Sequence, residues 1–131
     1  MDFSKFKRCP GCLTWFSADE VMESPSIVPI GMVLESENLN INLFYFNHSS
    51  SSCGTTFAIP VTAFQPFITH EITLEILAGS GLCELHCLTL EDRNPCYQEC
   101  FYAPYRKLLR KMMEARGISL TDDSVKADRT L

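Results

Sequence analysis

The order of apolar and polar positions divides this chain into an extended first part and a helical second part. Residues 30–34 form a short apolar run opened by Pro29, where a missing backbone donor does least harm to a strand, and Glu35 to Asn38 read as a turn. From Leu39 the period is two, with Leu39, Ile41, Leu43 and Tyr45 alternating with Asn40, Asn42, Phe44 and Phe46. A loop of Asn47, His48, four serines, Cys53 and Gly54 follows. Thr55 to Val61 then resume as a strand, with Phe57, Ile59 and Val61 on one side. Residues 17–26, ahead of these strands, predict a polar connection with a short helical turn.

Further along, the period lengthens. Residues 66–78 place Ile68, Ile72 and Ile76 at helical spacing between Pro66 and Gly79, and the expectation is a helix, although Ile72, Leu74 and Ile76 also alternate as in a strand. Cys83 and Cys87 stand four apart, as do Cys96 and Cys100, and such a spacing stacks two side chains on one helix face. Glu91 to Pro95 break the pattern between them, with Asn94 as a cap and Pro95 in a first turn, so the pairs predict a tight helical hairpin. In a last amphipathic helix Leu108, Leu109, Met112 and Met113 share one face, opposite Arg106, Lys107, Arg110 and Lys111. Pro104 kinks that helix or begins it, and Gly117 ends it. The expected fold is a single α+β domain over residues 1–118: a small antiparallel sheet in 1–62, packed against a helical hairpin and a C-terminal helix in 63–118. Residues 119–131 are polar and unpatterned and predict a disordered tail.

Composition narrows the classes. A chain of 131 residues, 46% hydrophobic and 21% charged, is one soluble domain's worth. Its formal charge of -5 argues against whole-surface attraction to nucleic acid or to an anionic membrane. No apolar stretch approaches the roughly 18 residues of a membrane span. Cys9, Pro10 and Gly11 follow Lys5, Lys7 and Arg8 where a secretory signal needs an apolar run, so the expected compartment is the cytoplasm. In a reducing compartment the seven cysteines, an odd number, are better read as metal ligands than as a disulfide framework.

Cys9-Pro10-Gly11-Cys12 sets two thiols on a turn that Pro10 presets and Gly11 lets close. No histidine follows Cys12, so covalent haem attachment is excluded, and no long strand precedes the pair as in thiol-disulfide motifs. His48 and Cys53, with Gly54 after them, lie between two strands. This arrangement resembles a zinc ribbon over roughly the first 60 residues, in which two such knuckles bring four ligands to one ion. It departs from that pattern by holding four residues between His48 and Cys53 where a ribbon has two. Cys9, Cys12, His48 and Cys53 form one ligand set, and Cys83, Cys87, Cys96 and Cys100 a second, which together use every cysteine once. Both compositions suit structural zinc, up to two ions per chain. The second set also suits an iron–sulfur cluster, interhelical disulfides or a buried thiol cluster. His86 stands beside the second set as a replacement ligand or a partner just outside it.

These residues predict a non-enzymatic, metal-stabilised module that binds another macromolecule, with a protein partner favoured by the negative charge. A redox protein centred on Cys83, Cys87, Cys96 and Cys100 is the alternative. Nucleic-acid binding through Arg106, Lys107, Arg110 and Lys111 is a third reading, resting on charge alone. Cys53 with His48 as nucleophile and base lacks an orienting third group in the sequence.

Overall fold

The computed structural model describes residues 3–35, 38–50, 52–68, 76–77, 80–81, 83–97, 100–118 and 120. Strands β1 (Lys7–Arg8) and β2 (Trp15–Phe16) pair as a short antiparallel hairpin. Strands β3 (Ile27–Glu35), β4 (Asn38–His48) and β5 (Thr56–Pro60) make an antiparallel sheet with β4 in the middle. Helices α1 (Ala18–Glu23) and α2 (Ala103–Ala115) complete an α+β fold, the class the patterning predicts. Among the described residues no helix is long and apolar enough to cross a membrane.

Both faces of β4 carry apolar side chains, and the aromatic face goes inside. Phe44 and Phe46 are fully buried, in line with Asn42 and His48, while Ile41, Leu43 and Tyr45 on the other face are half-buried. The choice is made by ring partners. Phe64 meets Phe44 edge to face at 5.1 Å, and Phe57 stacks on Phe46 at 5.7 Å. Such ring pairs add about 0.5–1.5 kcal/mol each beyond the area they bury. A register shift between Pro29 and Gly31 lets β3 bend over the same core.

The helical turn expected within 17–26 is α1, and it begins with a reciprocal cap. Ser17 Oγ accepts from the Glu20 amide at 3.1 Å, and Glu20 Oε1 accepts from the Ser17 amide at 2.8 Å. The Ser-x-x-Glu spacing of residues 17–20 is the sequence signature of such a cap. Helix α2 starts rather than kinks at Pro104, which stands in its first turn. It ends at Gly117, whose φ of 74° permits the Ile118 amide to donate to the Met113 carbonyl and the Gly117 amide to that of Glu114. Tyr105, Leu108, Leu109, Met112 and Met113 are buried, and α2 lies against β3 and α1. One hydrophobic cluster runs from Cys9 and Phe16 through the sheet to Met113.

Two expectations are corrected. The segment holding Cys83, Cys87 and Cys96 is not a helical hairpin: its only regular element among the described residues is one 3-10 turn, His86–Leu88, and Leu85 ahead of it has a left-handed φ of 68°. A spacing of four is compatible with a helix but does not require one. Arg106 is not on an outer face either. It is 0% exposed, because its guanidinium donates to the carbonyls of Asp92 (2.8 Å), Asn94 (3.1 Å) and His86 (2.7 Å), which tethers that loop to α2. Of the helix predicted over 66–78, Pro66 and Phe67 lie in a 3-10 turn, and 69–75 and 78 fall outside the described residues. So does the 119–131 tail, apart from Leu120.

Candidate metal centre

Two pieces of backbone far apart in sequence meet at this centre. The β1–β2 hairpin carries Cys9 and Cys12 at its tip, closed by the Cys9 amide donating to the Thr14 carbonyl and the Leu13 amide to that of Cys9, each 2.9 Å. The β4–β5 loop carries His48 and Cys53. Asn47 braces it, its Nδ2 donating to the Gly54 carbonyl at 2.9 Å and to Thr56 Oγ1 at 3.0 Å. Phe16, two residues beyond the knuckle, meets the His48 ring edge to face at 4.8 Å and fixes its plane.

The ligand atoms of Cys9, Cys12, His48 and Cys53 all lie within 4.8 Å of one another. Cys9 Sγ is 3.7 Å from Cys53 Sγ, and Cys12 Sγ is 3.5 Å from His48 Nδ1. A tetrahedral ion with bonds of about 2.3 Å to sulfur and about 2.0 Å to nitrogen would set its ligands about 3.8 Å apart for two sulfurs and about 3.5 Å apart for sulfur and nitrogen. Both separations fit. The four residues can therefore hold a metal ion, and the irregular spacing of His48 and Cys53 does not keep them apart.

Each sulfur is also addressed by donors from the residue two further along. The amides of Gly11, Thr14 and Thr55 point at Cys9, Cys12 and Cys53 respectively. Thr14 Oγ1 lies 3.2 Å from Cys12 Sγ, and Thr55 Oγ1 3.3 Å from Cys53 Sγ. These hydroxyls accept from a thiol and turn to donate to a thiolate. Thr55, hydroxyl before amide, pulls the Cys53 thiol down to about 5, and Thr14 lowers Cys12 in the same order, whereas burial pushes Cys9 up. The repeated Cys-x-Thr at residues 12–14 and 53–55 is the sequence signal for this arrangement, one that the expectations from spacing alone leave out.

Gly11 lets the two knuckles touch. A Cβ there would overlap the Thr55 hydroxyl oxygen and come to 2.8 Å from Thr55 Cβ. Gly11→Ala is expected to push Thr55 off Cys53 and weaken metal binding about 10- to 100-fold, as loss of a ligand's hydrogen-bond partner does; competition against a metallochromic chelator measures it. Leu13 carries the opposite problem. Its φ is 64° and its side chain is 55% exposed. Leu13→Gly relieves a left-handed cost of about 1–2 kcal/mol against about 0.5–1 kcal/mol of added chain entropy. A small rise in the denaturant midpoint is the expected result.

No family model, curated protein or solved structure matches this chain. The function has to be argued from its own residues. The seven cysteines form no disulfides. Cys83, Cys87, Cys96 and Cys100 line one cavity, but among the described residues only the first set brings three or more candidate ligand atoms within 4.8 Å. His86 is engaged at both ring nitrogens, 3.3 Å from Glu84 Oε1 and 2.9 Å from Asp92 Oδ2. Burial would raise Asp92, but His86 and the Asn94 amide outweigh it and hold that carboxyl low. Of the four cations assigned to an outer face, Lys107 and Lys111 are exposed, Arg106 is buried, and Arg110 donates to the Arg93 carbonyl.

Proposed function

We propose that Cys9, Cys12, His48 and Cys53 hold one structural zinc ion, and that the chain is a non-enzymatic module binding a protein partner. The ligand spacing carries this reading, because the 3.7 and 3.5 Å separations match tetrahedral ligand edges and all four ligand atoms lie within 4.8 Å of one another. Three sulfurs and one nitrogen are a zinc-type set without carboxylates, and four protein ligands leave no position for a substrate.

Leu13 and Trp15, 55% and 47% exposed, stand on the metal-bearing hairpin, with the Arg8 guanidinium 5.8 Å from the Trp15 ring. Aromatic and arginine side chains are the residue types that anchor protein interfaces. The net charge of -5 weighs against nucleic acid as the partner, and the burial of Arg106 removes one of its four cations.

Protein purified without added metal is expected to contain zinc, and His48→Ala to lose one equivalent. A cobalt-substituted form should show a four-coordinate spectrum indifferent to added azide. A spectrum that azide changes would reveal an open position and overturn the structural role.

A further inference from the structure

Four thiols remain outside the first site, and the fold gathers them. Cys83 and Cys87 come from the loop ahead of α2, and Cys96 and Cys100 from the segment leading into the helix. All four line one cavity of about 20 Å³, together with Leu77 and Arg106. That is room for about one water-sized occupant.

Donors converge on these sulfurs. The Leu85 amide points at Cys83 Sγ (3.3 Å) and the Tyr102 amide at Cys100 Sγ (3.5 Å), which is the two-residues-on pattern found at Cys9, Cys12 and Cys53. Cys100 Sγ receives a second amide, from Leu77, at 3.3 Å. Arg106 Nη2 lies 4.0 Å from Cys87 Sγ. A neutral thiol is a weak acceptor, and a thiolate is a strong one. Backbone donors aimed at sulfur from separate segments are the arrangement that ionised sulfur needs.

Arg106 supplies the second, independent observation. It is fully buried, donates to three backbone carbonyls, lies 4.0 Å from Cys87 Sγ, and feels the Asp92 carboxylate only beyond ion-pair distance. A buried guanidinium calls for negative charge close by, and Asp92, already paired with His86, meets that need only in part. A dication held by four thiolates carries a net charge of two minus, and here it would lie beside that guanidinium.

We infer that Cys83, Cys87, Cys96 and Cys100 form a second, all-thiolate site for a single soft transition-metal ion of the zinc type, with Arg106 as its charge-balancing neighbour. On binding, each thiol gives its proton to solvent and the loop draws inward to close the sulfurs on the ion. No electron transfer is involved. His86 stays outside the ligand set, held by Glu84 and Asp92. The inference does not depend on the first site, since the two sets share no residue.

The test uses the full chain, kept reduced, stripped of metal and titrated with cobalt. Wild type is expected to take up two equivalents, seen as thiolate-to-cobalt charge-transfer and d–d absorption. Cys83→Ser/Cys96→Ser is expected to keep one equivalent with the spectrum of a site containing one imidazole, which also shows that the variant folds. Arg106→Gln should weaken the all-thiolate site about 10- to 100-fold and leave the other unchanged. Failure of the first-site reading would appear differently, as a single equivalent abolished by Cys83→Ser/Cys96→Ser. Cobalt uptake identical in wild type and Cys83→Ser/Cys96→Ser would overturn the inference. So would acid-labile sulfide in freshly purified protein, the mark of a cluster, or masses showing these cysteines joined as disulfides.

Discussion

Stripping the metal from the reduced protein is expected to abolish its cooperative unfolding transition, with Trp15 emission shifting as the knuckle hairpin opens. Structural zinc contributes about 10–16 kcal/mol at neutral pH, as much as or more than the whole stability of about 5–15 kcal/mol typical of a domain. The geometry says why little would stand without it. Strands β1 and β2 have two residues each, and a two-stranded hairpin is marginal by itself. The ion would fasten that hairpin to the β4–β5 loop through Cys9 and Cys12 on one side and His48 and Cys53 on the other. Trp15, the single tryptophan, lies in β2 and reports the change directly. Thermal denaturation followed by circular dichroism and by Trp15 emission, with and without a strong chelator, makes the comparison. Equal midpoints would remove the ion from the fold's support, and readdition of zinc should restore the transition.

Where local chemistry decided the outcome, the sequence was enough. Cys9-Pro10-Gly11-Cys12 turns as its residues require, and the strand–loop–strand context of His48 and Cys53 outweighed their irregular spacing. Gly117 ended α2 as a left-handed position should. Where two patterns were equally good, distant partners decided. The period of β4 marks two faces without saying which is inner, and Phe57 and Phe64 settle that from beyond the strand.

The four-residue spacing of Cys83 and Cys87 suggested a helix, but Arg106 instead holds the carbonyls of His86, Asp92 and Asn94 in a loop. The charge of Arg106 alone points it to solvent, but its position on α2 decides otherwise. Leu109 and Met113 follow it by three and seven residues, so it borders the buried stripe of α2 and its guanidinium can reach inward. The burial of a charge is set by what it finds there, and those carbonyls are up to 20 residues away.

Arg116 offers a second case of such long-range support, and its removal is expected to cost the fold heavily. Its Nη1 donates to the Met22 carbonyl at 2.6 Å and to that of Met112 at 2.9 Å, its Nη2 to that of Val21 at 2.6 Å, and its Nε to that of Ser24 at 3.0 Å. Val21 and Met22 belong to the last turn of α1, whose final carbonyls have no partner within the helix. The guanidinium satisfies them and sets its positive charge at the helix's negative end. A six-residue helix is too short to persist alone, so α1 would depend on Ser17 and Glu20 at one end and on Arg116 at the other. Partial burial lowers the Arg116 pKa, and the Glu23 carboxylate works the other way.

Arg116→Ala is therefore expected to cost about 2–3 kcal/mol, the scale of losing charge-assisted hydrogen bonds to half-buried carbonyls, read as a fall in the urea midpoint with an unchanged slope. Arg116→Lys keeps the charge but has no planar fork, so it should recover less than half of that loss. The ordering separates the two contributions. If lysine restored full stability, charge at the helix end would be the whole effect; if alanine cost under about 0.5 kcal/mol, as at an ordinary surface position, α1 would be held by packing of Ala18 and Val21 alone.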